Sequence, residues 1–457
     1  MSLFLAELAW TGTQLVPRVL LESEGGRLTR AEGLGMVPVP QGARVLSGLT
    51  LPGLANAHSH AFHRALRGRC QTPDRGGRDF WEWRQLMYSL AGFLAPDQYF
   101  ELCRATLAEM VLAGITAVGE FHYLHHRPGG RPYARPEMEE ALVAAAGEAG
   151  LRLTLLDTCY LQGGLGGEPL DQSALRFADE DASAWSRRAD LTPDSDRVRL
   201  GAAIHSVRAV SQDAMRVVSA WAADRSAPLH LHLSEQTAEN SACLAATGLS
   251  PTGLAAACGV LGPATTAVHA IHLTGDDIAQ LGETGTRICV CPTTERDLGD
   301  GVCPAAELQL AGSPLTVGSD SNAVVDLFEE ARAVELNLRL ISGRRGQLSP
   351  ETLLRAATAE GMAGLGWDAG DLSVGHLADF ITLQPSSTRL AGASDQDLLA
   401  RVVFGATAAD VHSVVIGGVE VVRDGRHLRL GSVAEKLELI LERIEPGWSA
   451  ARTGAPG

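Results

Sequence analysis

Two histidines at the end of an apolar run are the first residues in the sequence that could do chemistry. His58 and His60 follow residues 51–57, and Pro52 and Gly53 mark the start of that run. In an extended strand the side chains of residues i and i+2 point to one face, so both imidazoles can reach a single ion. An isolated His-x-His pair is more often a solvated loop, so the interpretation depends on ligands elsewhere in the chain.

Further candidate ligands stand where later apolar runs end. His232 is followed three residues later by Glu235, and His269 is followed three residues later by His272. Asp320 comes directly after the run at residues 315–319. A lone buried histidine is more often a hydrogen-bonded core residue, and a lone strand-end aspartate is commonly a helix cap. A purely structural role would have to explain each of these positions independently, so a shared metal site is the simpler interpretation. Three imidazoles and one carboxylate suit zinc, one ion per chain, with Fe²⁺ and Mn²⁺ as alternatives.

These residue types predict hydrolysis. Zinc can lower the pKa of a bound water to about 7, which makes it a nucleophile at neutral pH. Glu235 would shuttle a proton between this water and a leaving nitrogen. Asp320 would orient the water as well as bind the ion, and His269 would stabilise charge on the attacked group. The expected reaction is attack at an sp² carbon with loss of ammonia or an amine.

The elements that must position these side chains alternate between strand and helix. Eight strand–helix units predict a closed parallel (β/α)8 barrel of the TIM type, in which the carboxyl ends of the strands carry the chemistry. A doubly wound open sheet is the alternative architecture, but no Gly-x-Gly-x-x-Gly opens a helix after the first strand. The predicted strands are 53–58, 115–121, 151–158, 198–205, 228–234, 266–272, 287–292 and 315–319, and predicted helices include 98–113, 136–149, 212–223 and 251–258.

Both chain ends contain short β-like segments separated by turns. Runs at 4–10, 18–22 and 28–31 resemble in style the strand at 375–383 and the hairpin at 411–423. We therefore expect residues 1–49 and 374–457 to form one small β-sandwich domain, with a packing helix at 432–444. Residues 50–373 would be the catalytic barrel inserted between them.

Composition narrows the class of protein. The chain has 457 residues, 45% of them hydrophobic, and a net charge of −16. This charge argues against nucleic acid or an anionic membrane as a partner. The start of the chain shows no secretory signal pattern, and eight scattered cysteines favour a reducing cytoplasm. Large cytoplasmic barrels often self-associate, and we expect a homodimer.

At these positions the chain resembles the amidohydrolase superfamily, in its branch with one metal ion held by strands one, five, six and eight. Within that superfamily it is similar to bacterial formimidoylglutamate deiminases. The general motifs are the His-x-His strand and the His-Leu-Ser-Glu strand, and the specific ones are the Trp-Arg and Phe-His-Tyr stretches. The matching segments are 58–65, 80–88, 119–126, 206–209, 232–236, 291–295, 298–301, 318–321 and 375–379.

The resemblance implies hydrolysis of N-formimino-L-glutamate to N-formyl-L-glutamate and ammonia, a step of histidine degradation. It implies zinc ligands at His58, His60, His232 and Asp320. It also implies that Glu235 and His269 act in proton transfer and polarisation. The substrate contacts that it implies are Arg84, Tyr123, His205 and Arg208.

Two of these contacts also follow from substrate chemistry. A glutamate-like ligand has two carboxylates, and a guanidinium binds a carboxylate through two parallel hydrogen bonds. Arg84 stands among Trp81, Trp83 and Tyr88. It could equally be a helix-surface arginine stacked on tryptophan. Arg208 follows the fourth predicted strand, which places it at the catalytic end of the barrel.

Two stretches depart from a simple metal-site pattern. The family usually has glutamine where this chain has His63, which can form hydrogen bonds but differs in shape and can titrate. We count His63 among the substrate contacts. His122, His125 and His126 look like a metal cluster, but we interpret them as loop residues because the one-ion site is already complete.

Two other functions compete with the implied one. The first is deamination of another amidine, guanidine or heterocyclic amine in the same fold. An uncharged base would leave Arg84 and Arg208 without anionic partners, which favours a small anionic amidine. The second is a catalytically silent metal-binding protein. The presence of Glu235 and His269 beside a complete ligand set argues against it, because metal binding alone does not require them.

Overall fold

The computed structural model describes residues 1–72, 80–384, 386–392, 394 and 396–453. Its strands, in chain order, are β1 Ser2–Trp10, β2 Leu15–Glu24, β3 Arg27–Gly33, β4 Arg44–Pro52, β5 Leu54–Ser59, β6 Ile115–His122, β7 Arg152–Cys159, β8 Val198–Ile204, β9 Leu229–Leu233, β10 Thr265–His269, β11 Arg287–Val290, β12 Leu315–Val317, β13 Phe380–Leu383, β14 Val411–Ile416, β15 Val419–Arg423 and β16 Arg426–His427.

Helices connect most of the barrel strands. They are α1 Phe80–Phe93, α2 Pro96–Leu112, α3 Glu137–Ala149, α4 Ala182–Ala189, α5 Gln212–Arg225, α6 Thr237–Thr247, α7 Pro251–Ala257, α8 Gly275–Glu283, α9 Pro292–Leu298, α10 Ala305–Ala311, α11 Leu327–Ser342, α12 Pro350–Ala356, α13 Ala359–Gly364, α14 Leu398–Gly405 and α15 Val433–Thr453, with 3₁₀ turns at Ala61–Leu66, Leu175–Phe177 and Ala408–Asp410. None of the described helices is long and apolar enough to span a lipid bilayer.

Strands β5 to β12 form the predicted parallel barrel, in sequential order. The first and last strands meet at the catalytic end. There the backbone N–H of Asp320 donates to the carbonyl of His58 at 3.0 Å, and the N–H of His60 donates to the carbonyl of Asp320 at 2.9 Å. Gly318 allows this approach, because a Cβ at that position would lie 2.7 Å from the carbonyl oxygen of His58. Barrel closure therefore brings His58, His60 and Asp320 together.

The chain ends form the second sheet, as predicted. Its eight described strands run in the order β16-β15-β14-β13-β4-β1-β2-β3, so it is one continuous hydrogen-bonded sheet. The sheet is joined to the barrel by a buried ion pair, in which Arg152 donates from Nε and Nη2 to Asp379 at 2.6 and 3.0 Å. The domain boundaries at residues 50 and 373 stay a proposal. Positions 385, 393, 395 and 454–457 of the expected terminal domain lie outside the described residues.

Some predicted boundaries differ from the structure. The predicted strand 266–272 ends at His269, because His269 and Ala270 have left-handed φ angles of 72° and 49°. The predicted strand at 375–383 is ordered as a strand only over Phe380–Leu383, and the packing helix runs on to Thr453. All eight cysteines of the chain are buried free thiols, including Cys289 and Cys291, whose Sγ atoms lie 3.9 Å apart.

Candidate active site

The four predicted metal ligands converge at the carboxyl end of the barrel. His58 lies on β5, His60 directly follows it, His232 lies on β9 and Asp320 follows β12. The Nε2 atoms of His58 and His232 are 3.2 Å apart. Oδ1 of Asp320 lies 3.3 Å from Nε2 of His58 and 3.5 Å from Nε2 of His60. We call these four residues the catalytic cluster.

Backbone carbonyls fix which nitrogen of two histidines carries the proton. Nδ1 of His60 lies 2.9 Å from the carbonyl of Phe121, and Nδ1 of His232 lies 2.8 Å from the carbonyl of His205. A carbonyl only accepts, so each Nδ1 donates and each Nε2 lone pair faces the cluster. Burial also lowers the pKa of both histidines, which keeps them neutral. The donor set therefore fits a divalent metal ion.

Strained backbone surrounds this cluster. Ser234, His269 and Asp320 are non-glycine residues with left-handed φ angles of 52°, 72° and 42°. They follow or end β9, β10 and β12 respectively. Each such conformation costs on the order of 1–3 kcal/mol, and it persists where the surrounding structure holds it for a functional purpose. The strain sets the directions of the side chains that face the cluster.

Glu235 and His269 lie beside the catalytic cluster. Nε2 of His269 is 3.7 Å from Oε1 of Glu235 and 3.9 Å from Oδ2 of Asp320. Burial raises the pKa of Glu235 above its usual value, which favours the protonated carboxyl group more than water would. The two predicted proton-transfer residues are thus next to one another and to the ligands.

A buried glutamate that sequence reasoning missed contacts the other side of His269. Oε1 of Glu295, near the start of α9, lies 3.4 Å from Nδ1 of His269 and accepts a hydrogen bond from the backbone N–H of Cys291 at 2.9 Å. This contact directs Nε2 of His269 toward Glu235 and Asp320. Residue 295 was part of a matching segment, but nothing in its spacing indicated a partner on β10.

A cavity of about 300 Å³ opens onto these groups. His58 lies behind the cavity wall and is fully buried. The other predicted site residues all line the cavity, and they are His60, His63, Arg84, Tyr123, His205, Arg208, His232, Glu235, His269 and Asp320. The structure therefore brings every predicted site residue to one place.

Arg84 lies in the cavity wall, stacked between aromatic rings. Its guanidinium is 5.6 Å from the ring centre of Trp81 and 4.8 Å from that of Tyr88. Nε donates to the hydroxyl of Tyr88 at 2.7 Å, and Nη2 donates to the hydroxyl of Tyr160 at 3.1 Å. Tyr160, which ends up here because it directly follows β7, was not predicted from the sequence.

Arg208 has a buried nitrogen with no partner. Within the described chain, Nη1 of Arg208 is shielded from solvent and makes no hydrogen bond. Glu239, on α6, lines the same cavity, and burial raises its pKa to about 7 despite the nearby charge of Arg208. Leaving a buried guanidinium nitrogen unpaired is costly, so this position is suited to an anionic group of a ligand. No motif or spacing in the sequence indicated Glu239.

His63 and Tyr123 form a pair at the base of the cavity. Nε2 of His63 lies 2.8 Å from the hydroxyl of Tyr123, and burial lowers the pKa of His63 to about 3. The imidazole is therefore neutral and acts as a hydrogen-bonding group. His205 packs on Tyr160 at a ring distance of 4.2 Å, and burial keeps its pKa well below the usual value.

The second histidine cluster is buried, and two of its members, His125 and His126, lie in the loop after β6, as predicted. His122 ends β6, and the three side chains pack with carboxylates from α3, β7 and the segment before α4. Arg188 lies at the centre of the group, with Nη1 2.9 Å from Glu139 and Nη2 2.8 Å from Asp179. We call this group the Arg188 cluster, and its members are His122, His125, His126, Glu139, Asp157, Asp179 and Arg188.

Comparisons with known proteins agree with this geometry. Residues 49–421 match the sequence model of the amidohydrolase family. A formimidoylglutamate deiminase of Pseudomonas aeruginosa is 36% identical over 396 residues, which cover 84% of this chain and 87% of that protein. An 8-oxoguanine deaminase of the same species is 31% identical over 415 residues, covering 88% and 89%.

Solved structures show the same fold. An amidohydrolase from Brucella melitensis has a TM-score of 0.89 and 30% identity, covering 97% of this chain and 100% of that one. A zinc-bound adenosine deaminase from Xanthomonas campestris has a TM-score of 0.82 at 22% identity, covering 97% and 98%.

Proposed function

The chain belongs to the amidohydrolase family, and we propose that it hydrolyses N-formimino-L-glutamate to N-formyl-L-glutamate and ammonia. The observation that carries this proposal is that Arg84, Arg208 and Glu235 line the same cavity. Arg208 in particular presents a buried nitrogen without a partner in the described structure. The 36% identity to a formimidoylglutamate deiminase supports the same substrate.

One divalent ion per chain, with zinc preferred, would be held by the catalytic cluster. When bound, such an ion supplies a water nucleophile that is active at neutral pH. The role of the protein is to keep its ligands in place, through the carbonyls of Phe121 and His205 that fix His60 and His232. Fe²⁺ and Mn²⁺ are the alternatives that metal analysis would distinguish.

Proton transfer falls to Glu235. Its raised pKa suits a group that accepts a proton from the attacking water and then passes it to the departing nitrogen. His269, with Nε2 3.7 Å from Oε1 of Glu235, would stabilise charge that develops at the attacked amidine carbon. Asp320 lies beside both and would orient the water as well as bind the ion.

The cavity residues that lie away from the catalytic cluster would orient the substrate. Arg84 and Arg208 would each bind one carboxylate of the glutamate moiety, and the buried ring of Tyr88 shields one side of the Arg84 guanidinium from water. The paired His63 and Tyr123, together with His205, would form the wall along which the substrate lies. The formimino carbon would then face Glu235.

Deamination of a heterocyclic amine is the second candidate. Phe80, Trp81, Trp83 and Tyr88 give the cavity an aromatic wall that could stack on a flat base, and an 8-oxoguanine deaminase is 31% identical. Such a base has no carboxylate, so the cavity arginines would stay unmatched. We therefore favour the acidic amidine.

Ammonia release by the purified protein tests the proposal. We expect turnover of N-formimino-L-glutamate, slower turnover of the aspartate analogue, and none of guanine or 8-oxoguanine. Arg208→Gln should raise KM by at least about tenfold, because a hydrogen bond to a charged group is lost. Faster release from either purine would reject the substrate assignment.

Three wider expectations accompany this function. We propose that the reaction belongs to histidine degradation, as it does for the family that the motifs resemble. The buried free thiols support action in a reducing cytoplasm. The homodimer stays a prediction, which sedimentation would check.

A further inference from the structure

A second cavity, of about 510 Å³, lies at the opposite end of the barrel from the active site. It is lined by residues at the amino ends of β7 and β8, by the Gly25–Gly26 turn between β2 and β3, by Gly417 between β14 and β15, and by Trp367. It therefore sits where the barrel meets the terminal sheet. Its inner wall carries Arg27, Arg152, Arg197 and Arg199.

Two of these arginines already have carboxylate partners, and one of the two is Arg27, whose Nη2 lies 3.5 Å from Oδ2 of Asp368. Arg152 forms the buried two-point ion pair with Asp379 and also donates from Nη1 to the carbonyl of Asp196 at 2.8 Å. Its guanidinium lies 5.3 Å from the ring centre of Trp367. Arg152 is thus a fixed structural group and not a free binding group.

Arg197 and Arg199 are different. In the described part of the chain neither has a carboxylate within 4.0 Å. Arg197 donates from Nη1 to the carbonyl of Gly150 at 2.8 Å, and Arg199 stacks on Trp367 at 4.7 Å. Nε of Arg199 is shielded from solvent and has no hydrogen-bond partner among these residues.

The surrounding charges increase the need for an anion. Burial, together with the charges of Arg152 and Arg429, lowers the pKa of Arg197, and the carboxylate of Asp379, which Arg152 already binds, only partly offsets this. Asp194 and Asp196 also line the cavity, but both are exposed, and Asp194 accepts from the backbone N–H of Leu200 at 2.6 Å. Guanidinium groups that are partly removed from water need a counter-charge.

We propose that this cavity, which we name the Arg197/Arg199 cavity, binds a small multivalent oxyanion of the phosphate class. Planar guanidinium groups bind such oxygens through parallel charged hydrogen bonds, and two of them face one space here. The bound anion would connect the start of β8 to the turns of the terminal sheet. Because the amino-terminal face of a barrel serves stability more than chemistry, the ligand would stabilise the junction between the two sheets.

Isothermal titration with inorganic phosphate at low ionic strength tests this site. Three variants separate it from other arginines: the double variant Arg197→Gln/Arg199→Gln, the active-site double variant Arg84→Gln/Arg208→Gln, and the exposed control Arg216→Gln. We expect the first to bind phosphate at least about tenfold more weakly, because charged hydrogen bonds are lost. The exposed control should bind like the wild type, and the active-site variant should keep the phosphate-binding step that the first variant loses.

A second measurement leaves the arginines intact. Trp367, whose Nε1 donates to Thr154 at 3.0 Å, should change its fluorescence when an anion draws Arg199 away from its ring. We expect Trp367→Phe to lose the phosphate-induced signal while it retains binding by titration. Four results would overturn the proposal: no binding by the wild type, loss of binding only in the active-site variant, equal binding by all variants, or an unchanged signal in Trp367→Phe.

Discussion

The catalytic cluster and the Arg188 cluster both combine three buried histidines with carboxylates, and they differ in what lies at their centres. In the catalytic cluster, imidazole nitrogens and one carboxylate point at a common position. In the Arg188 cluster a guanidinium occupies that position, with Nη1 2.8 Å from Asp157 and Nη2 2.8 Å from Asp179. The positive charge of Arg188 at the centre of one cluster therefore separates it from the candidate metal site, which has no such charge among its four residues.

The hydrogen bonds of the Arg188 cluster support this distinction. Nδ1 of His125 lies 2.8 Å from Glu139 and Nε2 lies 2.9 Å from the carbonyl of Thr158, so neither ring nitrogen is left for an ion. Nδ1 of His122 pairs with the hydroxyl of Tyr99 at 3.0 Å, whereas its Nε2 lies 3.4 Å from Glu139 and has no hydrogen-bond partner among the described residues. A cation placed here would also meet the charge of Arg188.

The largest effect that this comparison predicts is on metal content. His232→Ala removes a ligand whose Nε2 faces the other ligands, so we expect loss of the bound ion and of all measurable turnover. His125→Ala, its match in the Arg188 cluster, should retain about one ion per chain. Elemental analysis of both purified variants checks this. Metal loss in His125→Ala would break the distinction.

Glu235→Gln should lower kcat by about 10²–10⁴-fold while the ion stays bound, because the proton carrier is lost and the ligands are not. The matched change is Glu139→Gln in the Arg188 cluster, which should leave kcat nearly unchanged and lower stability instead. Steady-state kinetics and metal analysis distinguish the two. Full activity of Glu235→Gln would remove Glu235 from the mechanism.

Arg188→Met should destabilise the fold by about 3–5 kcal/mol, because it leaves three buried carboxylates without their cation. Burial alone raises the pKa of Asp179, but its hydrogen bond from His126 and the charge of Arg188 hold that pKa well below the usual value. A depressed pKa contributes stability above the unfolded value of about 4, and this contribution is lost as pH falls. In urea unfolding, the variant should therefore have a lower free energy of unfolding than the wild type at pH 7, and the difference should be smaller below about pH 4.

The next prediction concerns Glu295, the buried carboxylate that contacts His269 in the active site. Glu295→Ala removes the acceptor for Nδ1 of His269, so we expect kcat to fall by about 10–100-fold with KM and metal content unchanged. Glu295→Gln keeps an oxygen that can accept from Nδ1 and from the N–H of Cys291, and it should restore most of the activity. Equal losses in both variants would indicate that the charge, and not the orientation of His269, is what matters.

The sequence predicted residues whose partners follow from the order of strands and helices, and it did not predict contacts between residues that no local pattern connects. The barrel and the convergence of the four candidate ligands were predictable because these residues lie at strand ends, and strand–helix alternation places those ends together. The loop position of His125 was predicted, but its partners were not, because Glu139 and Arg188 lie on α3 and α4, which no local pattern connects to His125. Glu295 and Tyr160 were missed for the same reason.

The end of β10 shows another limit. Residues 266–272 form an apolar run with a strand-like composition, yet the left-handed backbone at His269 and Ala270 ends the strand three residues early. That conformation is imposed by contacts with the neighbouring strands, since Ala270 donates to the carbonyl of Leu233 at 3.0 Å. Glu239 likewise lies on a helix face with no periodic signal, and it carries the smallest predicted effect.

Glu239 should add a shallow pH dependence that the Arg188 cluster lacks. Burial is the main cause of its raised pKa of about 7, the charge of Glu235 adds to it, and Arg208, the Ser234 backbone and His269 oppose it. A raised acid pKa means that the folded state holds this proton more tightly, so the associated stability is lost as pH rises toward 7. Above that pH the carboxylate would compete with the substrate for Arg208. We expect kcat/KM for N-formimino-L-glutamate to fall by about two- to fivefold, as for a solvent-screened charge. Glu239→Gln should abolish that decline, whereas its persistence would assign the titration to Glu235.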